Sequence, residues 1–129
     1  MVREVLASGE AQRPLTRRFV EINVWRPIKG PVLDHPLAVC DAGSIAPGDL
    51  VPVSTGLRHE VFMLSYNPAH RWYYFPRIES DELILIKGFD SMCDGRARFT
   101  AHAAFADPST PPDAPPRESI EVRALLFFD

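Results

Sequence analysis

Thirteen of the 129 residues are proline, about twice the usual share of roughly 5%. Each proline lacks a backbone N–H and fixes φ, so it interrupts helices and confines strands to edges or short runs. A helix bundle is excluded at that density, and the chain reads instead as short strands between turns. Five of the prolines fall between Pro108 and Pro116, which marks 106–116 as a proline-rich loop.

Period-two alternation supplies the strands. FVEINVW (Phe19 to Trp25) sets Phe19, Glu21, Asn23 and Trp25 on one face and Val20, Ile22 and Val24 on the other. PLAVCDA is a second short apolar run, followed by the turn-rich AGSIAPGD. HEVFMLSY and RWYYFP, joined by NPAH, predict a hairpin. ELILIKGF predicts a fully buried strand. GRARFTAHAAF places Arg96, Arg98, Thr100 and His102 on one face, and SIEVRALLFF closes the chain as an alternating strand. Val2, Val5 and Leu6 recur at helical spacing before Pro14, which predicts a short helix over 1–13. The expectation is one domain over 1–129, mainly β, with a helix at 1–13 and the strands of an antiparallel sandwich or barrel over 19–128.

Charge narrows the partners. With 14 basic and 17 acidic residues the net charge is -3, against the balance a phosphate backbone selects. Nucleic acid is therefore not an expected partner. No run reaches the ~18 apolar residues of a membrane helix, and the charged N-terminus lacks the apolar core of a secretory signal. Two cysteines, Cys40 and Cys93, form no CxxC pair and read as reduced thiols of a cytoplasmic protein.

Three residues carry the sharpest chemistry. On a strand, Arg117 and Ser119 point the same way. An arginine fork beside a hydroxyl is a receptor for a small carboxylate. His102 lies 15 residues earlier across the proline loop, and an adjacent strand would bring its imidazole near that carboxylate. Such a grouping is what a non-haem iron site with a 2-oxo-acid co-substrate needs. The plainer alternative stays open: a structural histidine, with Arg117 paired to Glu121 or Asp113 on a solvated face. His35, His59 and His70 form no H-x-H, H-x-D or H-x-x-x-H pattern, so no complete metal site is legible. There is no G-x-G-x-x-G, P-loop or G-x-S-x-G. Trp72, Tyr73, Tyr74 and Arg26 are candidate pocket residues, and Trp25 a core residue.

The segments INVWRPIKGPV, PLAVCDAGS, YNPAHRWYYFP, DELILIKGFDS, GRARFTAHAAFADP and DAPPRESIEVRALLFF resemble the asaB hydroxylase/desaturase family. CmcJ-type cephamycin proteins and fungal gibberellin desaturases belong to the same family. The resemblance runs over nearly the whole chain. It implies a double-stranded β-helix (jelly roll) and an oxidoreductase that uses Fe(II) and 2-oxoglutarate to hydroxylate or desaturate a small molecule. His102 matches the distal iron-ligating histidine, and Arg117 with Ser119 the R-x-S that holds the co-substrate. The family's His-x-Asp pair is absent here, and in the family it lies upstream of the segment matching VREVLASGEAQR. The expectation is therefore a C-terminal portion of such an oxygenase, with open strand edges through which it can self-associate. The alternatives are a non-catalytic β-sandwich binding module, a partner subunit, or a methyltransferase, for which the chain offers no adenosyl-methionine loop.

Overall fold

The structure is a computed structural model that describes residues 17–54 and 60–128. Eight strands are present among them: β1 (Phe19–Pro27), β2 (Leu37–Cys40), β3 (Leu50–Ser54), β4 (Glu60–Leu64), β5 (Trp72–Tyr74), β6 (Ile84–Asp90), β7 (His102–Ala104) and β8 (Ser119–Phe127). They form one sheet in the order β6-β1-β8, a second in the order β5-β2-β7, and a β3-β4 ribbon, with every pair antiparallel. The architecture is mainly β and that of a jelly roll, to which the chain contributes three strands in each sheet. The helix expected over 1–13 lies outside the described residues.

Alternation along β1 builds the core. Trp25 lies opposite Ile84 on β6 and Glu121 on β8, while Asn23 lies opposite Ile86 and Arg123. Directly opposed residues share a face, so Trp25, Ile84 and Ile86 point together. They close a buried cluster with Leu37 of β2, Val32 and Ile78. Leu37 identifies the inward face of the second sheet. Each of these side chains contributes roughly 1.5–3 kcal/mol by leaving water.

The other face of β6-β1-β8 carries Ile22, Val24, Leu85, Ile120, Val122 and Leu126. Leu85, Ile120, Val122 and Leu126 are exposed. At one end that face is closed by Asp90, which is fully buried and takes two hydrogen bonds from the Arg18 guanidinium, at 3.2 and 2.8 Å, and one from the Met92 N–H. Those donors, with Lys87 at 3.6 Å, hold its carboxyl well below the usual carboxylate range.

The register of β1 on β6 slips between Glu21 and Ile22, leaving Gly88 as the extra residue of a bulge. A Cβ on Gly88 would stand 2.8 Å from Glu21 Oε1 and 3.3 Å from Asn23 Oδ1. Both side chains are buried and both face Arg123, whose Nε donates to Asn23 Oδ1 at 3.2 Å and lies 3.4 Å from Glu21 Oε1.

Several expected pairings differ. HEVFMLSY and RWYYFP do not form a hairpin: β4 pairs with β3, and β5 pairs with β2. The β3 strand, LVPVS, follows the turn-rich AGSIAPGD in a stretch to which the sequence assigns no element. Proline is tolerated there because a two-stranded ribbon is all edge. The strand expected over GRARFTAHAAF shrinks to His102–Ala104. ELILIKGF becomes β6, but alternates between buried and exposed side chains rather than being buried throughout. No helix among the described residues is long and apolar enough to cross a membrane.

Candidate functional site

His102 sits on β7 opposite Val39, on the face that carries Leu37 and Ala104. This is the inward face of its sheet. Its Nδ1 lies 2.9 Å from the Thr100 carbonyl. A carbonyl can only accept, so Nδ1 is the donor in this bond, and in the neutral ring Nε2 is the nitrogen with the lone pair. The side chain is exposed, which leaves Nε2 open to a ligand. A ring oriented by a backbone carbonyl is the arrangement a metal-binding histidine uses.

Arg117 precedes β8, and Ser119 opens it opposite Pro27. The backbone of this segment is fixed by the Ile28 N–H, which donates to the Glu118 carbonyl at 2.8 Å. Arg117 is half-buried, and its Nη1 donates to the His35 carbonyl. Its guanidinium carbon stands 5.7 Å from the centroid of the Trp25 ring. Neither Glu121 nor Asp113 is its partner, so the solvated ion pair left open by the sequence does not form. A guanidinium has five N–H donors, and one is spent on His35. A cleft of about 100 Å³ runs beside Arg117 between Lys29, Val32 and Pro116.

The aromatic run divides between the two faces of its sheet. Tyr73 lies opposite Val39, as His102 does from the other side, so Tyr73, Val39 and His102 form one row on the inward face. Adjacent strands are about 4.8 Å apart, which puts Tyr73 two strand spacings from His102. Trp72 and Tyr74 belong to the opposite face. There, with Ala38, Ala103 and Phe105, they line an apolar cleft of about 470 Å³. The larger cleft and the histidine are therefore on opposite sides of the sheet. Arg26 falls on the outward face of β1, where its Nε donates to its neighbour's carbonyl, that of Pro27, at 3.5 Å. Among the described residues no group of three or more His, Cys, Asp or Glu side chains is placed to hold a metal ion.

Two networks were not legible in the sequence. His70 is buried, and its Nε2 is 2.9 Å from Asp49 Oδ2. Asn67 Nδ2 donates to both oxygens of the same carboxylate at 3.1 Å. The His70 bond, then the Ala46 N–H and Asn67, hold the Asp49 carboxyl below its usual range. Asp41 is likewise lowered by Arg71, whose Nε and Nη2 both reach Asp41 Oδ2. These ties fix the loop before β5 and hence the row that includes Tyr73. Only the Asn-Pro turn hinted at them, because the partners lie 21 and 30 residues apart.

Comparison with known proteins gives a consistent picture. The family model described as "Oxidoreductase/YMDC permease-like domain" matches residues 1–127. The Fe(II)/2-oxoglutarate-dependent dioxygenase nvfI of Aspergillus novofumigatus (strain IBT 16806) is 48% identical over 128 residues, which is 95% of this chain and 45% of that protein. Hydroxylase/desaturase asaB of Aspergillus flavus is 36% identical over 146 residues, covering 100% of this chain and 64% of its own length. The solved structure of the iron and alpha-ketoglutarate-dependent endoperoxidase NvfI superposes with a TM-score of 0.84 at 46% identity, over 96% of this chain and 47% of that one. The chain thus spans about half the length of the curated relatives it matches. Matched along nearly all its residues, the chain belongs to this oxidoreductase family, that of hydroxylase/desaturase asaB.

Proposed function

We propose that this chain is a single-domain, C-terminal portion of an Fe(II)- and 2-oxoglutarate-dependent oxygenase that hydroxylates or desaturates a small molecule. The observation that carries the reading is the His102 ring, pinned through Nδ1 to the Thr100 carbonyl with Nε2 open on the inward face. His102 would hold the iron, together with ligands from outside the described residues. Arg117 and Ser119 would hold the far carboxylate of 2-oxoglutarate, Arg117 through the donors that His35 leaves over. When bound, the iron and oxo-acid supply the oxidation of an unactivated C–H bond. The chain's own residues orient the co-substrate, exclude water and shape the pocket. Tyr73 is the pocket residue closest in register to His102; Trp72, Tyr74 and Arg26 would act on the outer surfaces they occupy. The protein works in the cytoplasm, without nucleic acid or membrane, and self-associates through open strand edges.

Binding of 2-oxoglutarate with Mn(II) or anaerobic Fe(II), followed by calorimetry on this chain, tests the reading. Wild type should bind the pair together, His102→Ala should lose the metal, and Arg117→Ala should lose the oxo-acid. Binding indifferent to both substitutions would sink the assignment. A second reading, a partner subunit or binding module without catalysis, is favoured by the absence among the described residues of a three-ligand group. Failure of the chain to bind metal would support it.

A further inference from the structure

We propose that the Trp25 ring and the His35 backbone carbonyl form a fixed mount for the Arg117 guanidinium. Both are then positioning residues for the far carboxylate of the oxo-acid. This rests on the reading of Arg117 as the co-substrate anchor, and adds what aims that anchor. A guanidinium fork meets a carboxylate in one plane and from one direction. An arginine on a loop fixes neither by itself, because its side chain is long and rich in rotamers.

Period two puts the parts on one face. Trp25 lies opposite Glu121 and Pro27 opposite Ser119, so the face that carries Ser119 also carries Trp25. Arg117 stands two residues before Ser119, where the Ile28 N–H holds the backbone through the Glu118 carbonyl at 2.8 Å. From there its guanidinium lies over the Trp25 ring, 5.7 Å from the centroid, within reach of a cation–π contact. Trp25 is 4% exposed and packed in the core cluster with Ile84 and Ile86. The platform is therefore rigid.

The ring keeps the guanidinium to one side, and His35 sets its direction. His35 acts through its backbone: its carbonyl accepts from Arg117 Nη1. That backbone has φ 45°, an uncommon left-handed conformation for a residue with a Cβ. The next residue is Pro36, which presses the residue before it towards extended backbone. Such a conformation persists only where its surroundings over-determine it. Here the Leu33 carbonyl accepts from Thr110 Oγ1 at 2.9 Å, and the Pro36 carbonyl from the Phe105 N–H at 3.3 Å. The His35 ring is tied in turn to Asp34 Oδ1 at 2.5 Å. Between the two carbonyl ties, the strained residue turns its own carbonyl onto Arg117. The arginine is thus ordered on folding, and less freedom is lost when the carboxylate binds.

NMR and calorimetry on the 129-residue chain test the mount and its purpose separately. The Arg117 Nε–H resonance, identified by its loss in Arg117→Lys, should lie upfield in the Trp25 ring current and move downfield in Trp25→Leu. 2-Oxoglutarate titrated with Mn(II) should bind Trp25→Leu and His35→Val roughly tenfold more weakly, the size of one desolvated cation–π contact or one hydrogen bond to a charged group. Trp25→Phe keeps a ring and should bind more tightly than Trp25→Leu. His35→Gly keeps the carbonyl and reaches φ 45° without strain, so it should bind at least about fivefold more tightly than His35→Val. Affinity for Mn(II) alone, which falls to His102 on the other sheet, should not change; a parallel fall would mean lost structure and overturn the positioning role. Trp25 is a core residue, so the His35 pair, on an exposed residue, carries the test if Trp25→Leu fails to fold in its thermal melt. A wild-type chain that binds no 2-oxoglutarate overturns the anchor reading and the positioning role together. Binding that is present in wild type yet equal in Trp25→Leu and His35→Val, or an Arg117 resonance indifferent to Trp25→Leu, overturns the mount alone. Equal losses in His35→Gly and His35→Val would assign the effect to the imidazole and overturn the role of the carbonyl.

Discussion

Replacing Gly88 with alanine tests how rigid the buried Glu21–Asn23–Arg123 cluster is. The backbone at Gly88 lies outside the left-handed region, so any cost is one of space and not of conformation. The new methyl would come 2.8 Å from Glu21 Oε1 and 3.3 Å from Asn23 Oδ1, both inside van der Waals contact. Glu21 Oε1 ends a flexible side chain, but Glu21 is 8% exposed and Asn23 3% exposed, and Arg123 holds both. Overpacking of this kind costs about 1–3 kcal/mol. Against it stands a gain of about 0.4–1 kcal/mol from restricting the unfolded chain. The net expectation is a loss of about 1–2 kcal/mol, or roughly 4–8 °C in Tm for a domain of this size. Gly48→Ala is the control, since a methyl there meets nothing within 4 Å and should be neutral or slightly stabilising. The double variant Gly88→Ala with Glu21→Ala separates steric from intrinsic effects: relief of the clash appears as a favourable coupling in the cycle. If Gly88→Ala melts at or above wild type, the cluster yields freely and the reasoning is wrong.

Other expectations follow from the same contacts. Arg117→Ala should weaken 2-oxoglutarate binding at least about tenfold, and Arg117→Lys should fail to restore it, because a lysine cannot offer a forked donor pair; equal affinity for the lysine variant would argue against bidentate recognition. Asp49 has its folded-state pKa below the unfolded value, so its stabilisation is complete above the ordinary carboxylate range and is lost as pH falls through the folded pKa. Asp49→Asn should therefore flatten the acid limb of the urea-midpoint profile, and an unchanged slope would show that His70 and Asn67 do not set that pKa. Ile86, 1% exposed in the centre of the core cluster, should cost about 2–5 kcal/mol as alanine, read by denaturant unfolding. Cys93, which is exposed, should react with a thiol reagent in the folded chain, and buried Cys40 only after unfolding.

The long strands were legible because their signal is local. FVEINVW and SIEVRALLFF alternate over enough residues for period two to stand out, and they became β1 and β8. Pairing was not legible, because it is decided between segments far apart in sequence. HEVFMLSY and RWYYFP look like neighbours, yet β4 turns back to LVPVS while β5 docks on LAVC. The shared direction of Arg117 and Ser119 could be read from spacing alone. That Tyr73 and not Trp72 joins the row of His102 required knowing that both β5 and β7 flank Val39. His70 read as a turn residue because its partner, Asp49, comes from the other side of the β3-β4 ribbon.

The bulge at Gly88 also bears on how the length of this chain can vary. In an antiparallel ladder, adding or removing one residue turns every later side chain to the wrong face. β6 already carries one residue more than β1 needs: Lys87 sits opposite Ile22 and Phe89 opposite Glu21, with Gly88 between them unmatched. Its loss would leave both neighbours opposite the same partners and on the same faces. Gly88 is thus the position in the β1-β6 pair where a one-residue gap is silent, and sequence alignments of related chains should tolerate a gap there while β1 and β8 keep their length.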